Sequence, residues 1–178
     1  KDDNPYWISS KALERRNGAD MGDWRELADF MKWAKANFPA RKYMLIVSGH
    51  GSGWWAQGTP SPLEKGISFD HQSKRHISTQ GLRLAMERGG GADVYASDAC
   101  LMQMAEVAYE IRREAKFIAG SEDSDFSYDY GILLRKFAAK GADPAPAELA
   151  RATVEAYDEA YPDGFRGHDA THSYVDAS

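Results

Sequence analysis

The chain has 178 residues, 43% of them hydrophobic and 12% aromatic, which is enough apolar mass for one packed domain and too much for a disordered segment. Lys and Arg number 22 against 27 Asp and Glu, a net charge of −5, and no basic block occurs, which argues against nucleic acid as a partner. No apolar run approaches the roughly 18 residues of a membrane span. The first residue is Lys1, and no secretory leader opens the chain.

In chain order, Asp23 followed by Glu26 reads as a helix cap, and Trp24, Leu27, Met31 and Ala34 recur at helical spacing before Pro39. Lys42 to Ser48 (KYMLIVS) is a short apolar run, as in a strand covered on both faces. Gly49 to Ser61 is Gly-, Ser- and Pro-rich loop, and Gly66 to Asp70 (GISFD) is a short strand or hairpin arm. A helix capped by Ser78 or Thr79 runs to Arg88 and stops at Gly89-Gly90-Gly91. Ala92 to Ser97 is the next strand, Leu101 to Ala115 a helix with an apolar stripe, and Lys116 to Ala119 another strand. Helices over Tyr130 to Ala139 and Ala145 to Tyr161 follow, then a strand over His172 to Asp176. This alternation predicts an α/β layer fold with a mostly parallel sheet, in a single domain over 1–178.

Two strands end at residues suited to chemistry. KYMLIVS delivers Gly49-His50-Gly51, and ADVYAS delivers Asp98-Ala99-Cys100. Ligands of open parallel sheets bind beyond the carboxyl ends of the strands, so neighbouring strands bring His50 and Cys100 to one rim. Cys100 is the sole cysteine, which excludes an internal disulfide and makes it the one available thiol nucleophile. It is expected in the first turn of the following helix, whose positive end favours a thiolate. The N–H groups of Gly51 and Cys100 are candidate oxyanion donors, and Gly51 has no side chain to crowd them. His71, His76, His168 and His172 lack this framing and read as surface or loop residues. No acid or cysteine completes a metal pattern around His168 and His172.

The stretches "SGHGSGWW" and "SDACLMQMAEVAYEIR", with Asn17 to Trp54, "GISFD", "GSEDSD" and "THSYVDAS", resemble the clostripain family of cysteine peptidases. The 50-residue interval between His50 and Cys100 is also that of caspases. The resemblance implies a caspase-like three-layer α/β/α sandwich whose first strand and helix are missing here, so the natural protein is expected to be longer at both ends. It implies Cys100 as nucleophile, His50 as general base, and cleavage of peptides after Arg or Lys. A basic side chain needs a carboxylate in its pocket. Asp98 matches the family's position, and Asp123, Asp125 and Asp129 are candidates for a second acid, because the Pro-Gly pattern of that loop is replaced by Ser124 to Tyr128. Zymogen processing is expected at Lys65, with Lys74 and Arg75 as backups. No cofactor is required by the resemblance; some family members bind calcium, for which Glu122, Asp123 and Asp125 are the candidate oxygen ligands, though no EF-hand is present. The family also implies a secreted or cell-surface bacterial protein. Two further readings are a catalytically inactive binding module and a thiol acyltransferase.

Overall fold

The computed structural model describes residues 11–54, 66–165, 168–169 and 171–178. Their elements are α1 (Trp24–Asn37), β1 (Met44–Ser48), α2 (Thr79–Gly89), β2 (Ala92–Asp98), α3 (Ala105–Ile111), β3 (Ala115–Gly120), α4 (Tyr130–Ala139), α5 (Pro146–Ala160) and β4 (Ser173–Asp176). The sheet order is β1-β2-β3-β4. The first three strands are parallel, and β4 closes the far side antiparallel to β3, with Ile118 opposite Val175.

Residue alternation along the strands sets the layers. Leu45, Val47, Tyr95 and Ile118 join a core with Met31 of α1, Leu82 and Met86 of α2, and Val107 and Ile111 of α3. Ile46 points the other way and packs with Leu133 of α4 and Ala152 and Ala156 of α5. Helices therefore cover both faces, in the expected three layers. Each fully buried Leu or Met in such a core contributes about 1.5–3 kcal/mol.

Local signals start and stop the helices. Asp23 accepts from the Arg25 N–H at 2.9 Å, and Ser78 accepts from the Gly81 N–H at 3.0 Å. Gly90, at φ 80°, closes α2 in the left-handed region. Glu148 reaches back to the Ala145 N–H at 2.8 Å across the first turn of α5.

One element differs from expectation. The helix foreseen from Leu101 begins only at Ala105 and ends at Ile111. Leu101 has φ 62°, a left-handed conformation that a helix cannot carry. The Leu101 N–H donates to the Asp123 carbonyl at 3.0 Å and the Gln103 N–H to the Ser121 carbonyl at 2.9 Å. Tertiary partners thus replace the helical ones, and Met102 is buried as a core residue. Beside β1, on the side away from β2, a largely apolar cavity of about 630 Å³ is lined by Leu13, Leu27, Phe30, Trp33 and Leu45, among others.

Candidate active site

Strand register brings His50 and Cys100 to one rim. β1 and β2 pair in parallel up to Ser48 opposite Asp98. The ladder continues one step, with the Gly49 N–H donating to the Asp98 carbonyl at 3.1 Å. His50 and Cys100 each lie two residues beyond that last pair, so both leave the carboxyl edge of the sheet side by side. His50 is exposed, and its ring meets that of His71 edge-on with centroids 6.4 Å apart.

Cys100 occupies the turn before α3, not the helix itself. The helix N-terminus is too far along the chain to act on the thiol, because its influence fades within the first turn. The sulfur instead faces the loop after β3. The Asp125 N–H donates to Sγ at 3.2 Å, and the thiol in turn lies 3.7 Å from the Asp125 carbonyl oxygen. Cys100 is half-buried.

Gly51 is needed where it stands. A Cβ there would collide with the Cys100 carbonyl oxygen and come within 2.9 Å of Met102 Cγ and 3.0 Å of Ala99 Cβ. The bridge between Gly51 and Ile67 is closed by flanking bonds, Ser52 N–H to Gly66 and Ser68 N–H to His50, which leave the Gly51 N–H out of it. Among the described residues, no hydrogen-bond partner is found for the N–H of Gly51 or of Cys100.

Two carboxyls share the space beside the sulfur. Asp98 is 6% exposed, and its Oδ2 accepts from the Ser48 hydroxyl at 3.0 Å and the Tyr130 hydroxyl at 2.8 Å. Among the described residues, both Asp125 oxygens are buried without a well-formed hydrogen bond. Burial above all, helped by the Asp98 charge, pushes the Asp125 carboxyl up to about 6. The nearby Tyr157 hydroxyl and the N–H groups of Ala99 and Phe126 are poorly aligned with it and draw it back only in part. Tyr128 and Tyr130 stand edge to face at 5.5 Å, and Tyr128 meets Tyr157 at 5.7 Å. Burial, with the Asp98 charge, holds the Tyr128 and Tyr130 phenols above their ordinary range, so they stay protonated donors. Two buried carboxyls and three tyrosines are thus gathered next to the Cys100 turn.

Asp129 serves elsewhere. It caps α4, accepting from the Gly131 N–H at 2.7 Å. His172 lies in the loop just ahead of β4, one of its two expected placements, with its ring turned inward onto Tyr157, the rings stacked at 4.8 Å and 22°. Among the described residues neither ring nitrogen has a partner, and desolvation pushes the imidazole down to about 4, despite the pull of Asp98 and Glu122. His168 is exposed. Lys65 and Trp55 lie outside the described residues. Of the backup processing residues, Arg75 is paired with Asp20, and Lys74 is exposed.

The acidic run fits calcium poorly. Glu122 accepts from Ser173, Asp123 Oδ1 accepts from the Ser124 N–H at 2.7 Å, and Asp125 is turned into the pocket. No metal-ligating cluster of three or more His, Cys, Asp or Glu occurs among the described residues. No helix among them is long and apolar enough to cross a membrane.

Ser48, Tyr130, Tyr157 and His172 were not foreseen as members of this site. Ser48 had one legible signal, its place at the end of β1 two residues before His50.

A mostly parallel sheet between helices, with a histidine and a cysteine at neighbouring strand ends, defines a caspase-like fold. A secreted C11 cysteine protease from Bacteroides thetaiotaomicron, solved with an irreversible peptide inhibitor, superposes with a TM-score of 0.68 at 22% identity, over 89% of this chain and 46% of that one. An inactive zymogen C11 protease from Parabacteroides distasonis gives 0.67 at 20% identity, over 93% and 43%. The profile of the clostripain family matches residues 8–178, and the chain belongs to that family. Clostripain of Hathewaya histolytica is 34% identical over 103 residues, 53% of this chain and 19% of that protein. The chain thus spans about a fifth of its curated relative and under half of the solved ones.

Proposed function

We propose that the protein is a cysteine endopeptidase that cleaves after arginine or lysine. The observation that carries this is the meeting, at the carboxyl edge of β1 and β2, of Cys100 with an acidic pocket formed by Asp98 and Asp125. A cationic side chain reaching these groups gains two carboxylates, where Asp125 has no well-formed bond among the described residues. The scissile carbonyl then lies against Cys100.

In this reading His50 takes the thiol proton, and Sγ attacks the carbonyl carbon to form a tetrahedral oxyanion. The unengaged N–H groups of Gly51 and Cys100 are suited to hold that oxyanion. The C–N bond breaks as His50 returns the proton to the leaving amine. Water, deprotonated by His50, then hydrolyses the thioester and restores the thiol. Asp125 is the better choice than Asp129 for the second pocket acid, because Asp129 is committed to its cap.

Activation by cleavage at Lys65 and location outside the cell are part of the same proposal. Support comes from the relatives described as a zymogen and as a secreted protease. A fluorogenic peptide with arginine at the cleaved bond tests the function. Hydrolysis that disappears in both Cys100→Ala and His50→Ala supports it, and hydrolysis unchanged in either variant refutes it. Intact mass before and after incubation tests the processing step: a cut at Lys65 absent from Cys100→Ala is expected, and an active protein that stays whole refutes it.

A further inference from the structure

Two hydroxyls converge on one oxygen of Asp98. Tyr130, the first residue of α4, donates to Oδ2 at 2.8 Å, and Ser48, the last residue of β1, donates to the same atom at 3.0 Å. No donor among the described residues reaches Oδ1. A carboxylate has about four acceptor sites over its two oxygens, so two fixed donors on Oδ2 leave the open lone pairs on Oδ1.

We propose that Tyr130, acting with Ser48, is a positioning residue that sets the preference for a cationic substrate side chain: the pair locks the Asp98 carboxylate with one oxygen occupied and the other free for the incoming cation. This rests on the reading of Asp98 and Asp125 as the carboxyls of the substrate pocket. Tyr130 itself touches no reacting atom.

The surroundings explain why a fixed orientation matters. Around the Asp98 and Asp125 carboxyls stand Cys100 from the turn after β2, Tyr128 from the loop after β3, Tyr130 from α4, Tyr157 from α5 with Tyr161 just past its end, and His172 ahead of β4, with Glu122 earlier in the loop after β3. Apart from the neutral His172, none of these brings a cation. A basic substrate group is therefore the charge that the pocket lacks. A carboxylate free to rotate would spread its lone pairs between Tyr130, Ser48 and the cation, and each bond to the cation would weaken. The Tyr130 phenol remains a donor, since burial and the Asp98 charge oppose its ionisation. Its ring is partly exposed and packs edge-on against Tyr128, so loss of the hydroxyl alone leaves that packing in place.

The test is the ratio of kcat/KM for two peptides that differ only in arginine or norleucine at the cleaved bond. In Tyr130→Phe and in Ser48→Ala the ratio is expected to fall about 10- to 100-fold, through KM for the arginine peptide, the size of one hydrogen bond to a charged group. Ser48→Thr, which keeps a hydroxyl, is expected to retain the wild-type ratio. Benzamidine binding, measured by calorimetry, should weaken by the same factor in Tyr130→Phe. A merely structural role would lower both peptides alike and leave the ratio unchanged, and that result overturns the inference. If the wild type itself shows no preference for arginine, the pocket reading fails. If the wild type prefers arginine and Tyr130→Phe does so equally, only the inference about Tyr130 fails.

Discussion

Asp125 touches Cys100 with its backbone and faces Asp98 with its side chain: its N–H donates to Sγ at 3.2 Å, while its carboxyl is buried beside the Asp98 carboxylate without a well-formed hydrogen bond. One residue therefore links the nucleophile to the acidic pocket. Residues that bind a ligand in this way are often stabilised by it and unstable without it.

That cost is measurable. The Asp125 carboxyl rises from 3.8 to about 6, so the folded state binds its proton more tightly than the unfolded state does. A raised carboxyl favours folding below pH 3.8, and the benefit is lost as pH climbs through about 6. At neutral pH the residue costs roughly 2 kcal/mol, discounted for its partial exposure. Asp125→Asn should raise Tm at pH 7.5 and lose that gain near pH 4. An equal Tm difference at both pH values would contradict the assignment.

The same proton should compete with a basic substrate. Below pH 6, Asp125 takes up a proton and the pocket loses charge. KM for an arginine peptide should rise about tenfold per unit of pH well below that point, while KM for a norleucine peptide stays flat. Parallel profiles for the two peptides would rule the competition out.

His172 carries the opposite sign. Its imidazole falls from 6.5 to about 4 in the folded state, so the unfolded chain takes the proton first. The stability linked to the neutral ring is present above pH 6.5 and is lost as pH falls toward 4, up to about 3 kcal/mol. His172→Phe keeps a ring against Tyr157 and removes two buried, unpaired nitrogens. It should flatten the decline in Tm between pH 6.5 and 4 relative to wild type, and an unchanged slope would contradict this.

Much of this was legible in the sequence. The strand ends at His50 and Cys100 follow from two short apolar runs, and parallel pairing follows from the helix-strand alternation. Asp98 ends β2 two residues before Cys100, so its place at the rim could be read directly. The Cys100 turn could not be, because the stripe from Leu101 to Ile111 has helical period, while Leu101 and Gln103 bond instead to Asp123 and Ser121, about twenty residues away. His172 lies in a loop as its flanks suggest, but the inward turn of its ring is not legible for a similar reason: it depends on Tyr157, and nothing in the flanks announces that contact.

Asp129 and Asp125 had equal claims on paper and separate in space. Asp129→Ala removes the cap of α4 and should cost about 1 kcal/mol of stability. The arginine-to-norleucine ratio should stay at its wild-type value. A collapse of that ratio in Asp129→Ala, with Asp125→Asn unaffected, would reverse the two roles.

Gly51→Ala places a methyl group against the Cys100 carbonyl. The turn must shift, which moves both candidate oxyanion donors, so kcat should fall about 10²- to 10³-fold. Stability should drop by about 1–3 kcal/mol from overpacking. Near-normal kcat would exclude Gly51 from the oxyanion site.

Covalent labelling addresses nucleophile and pocket at once. The protein is treated with two acyloxymethyl ketone peptides, one ending in arginine and one in glutamate, and the labelled residue is located by mass spectrometry. A single label on Cys100 from the arginine probe, slowed by benzamidine and absent with the glutamate probe and in His50→Ala, is the expected result. Equal labelling by both probes, or no label on Cys100, would contradict a thiol peptidase with an acidic pocket.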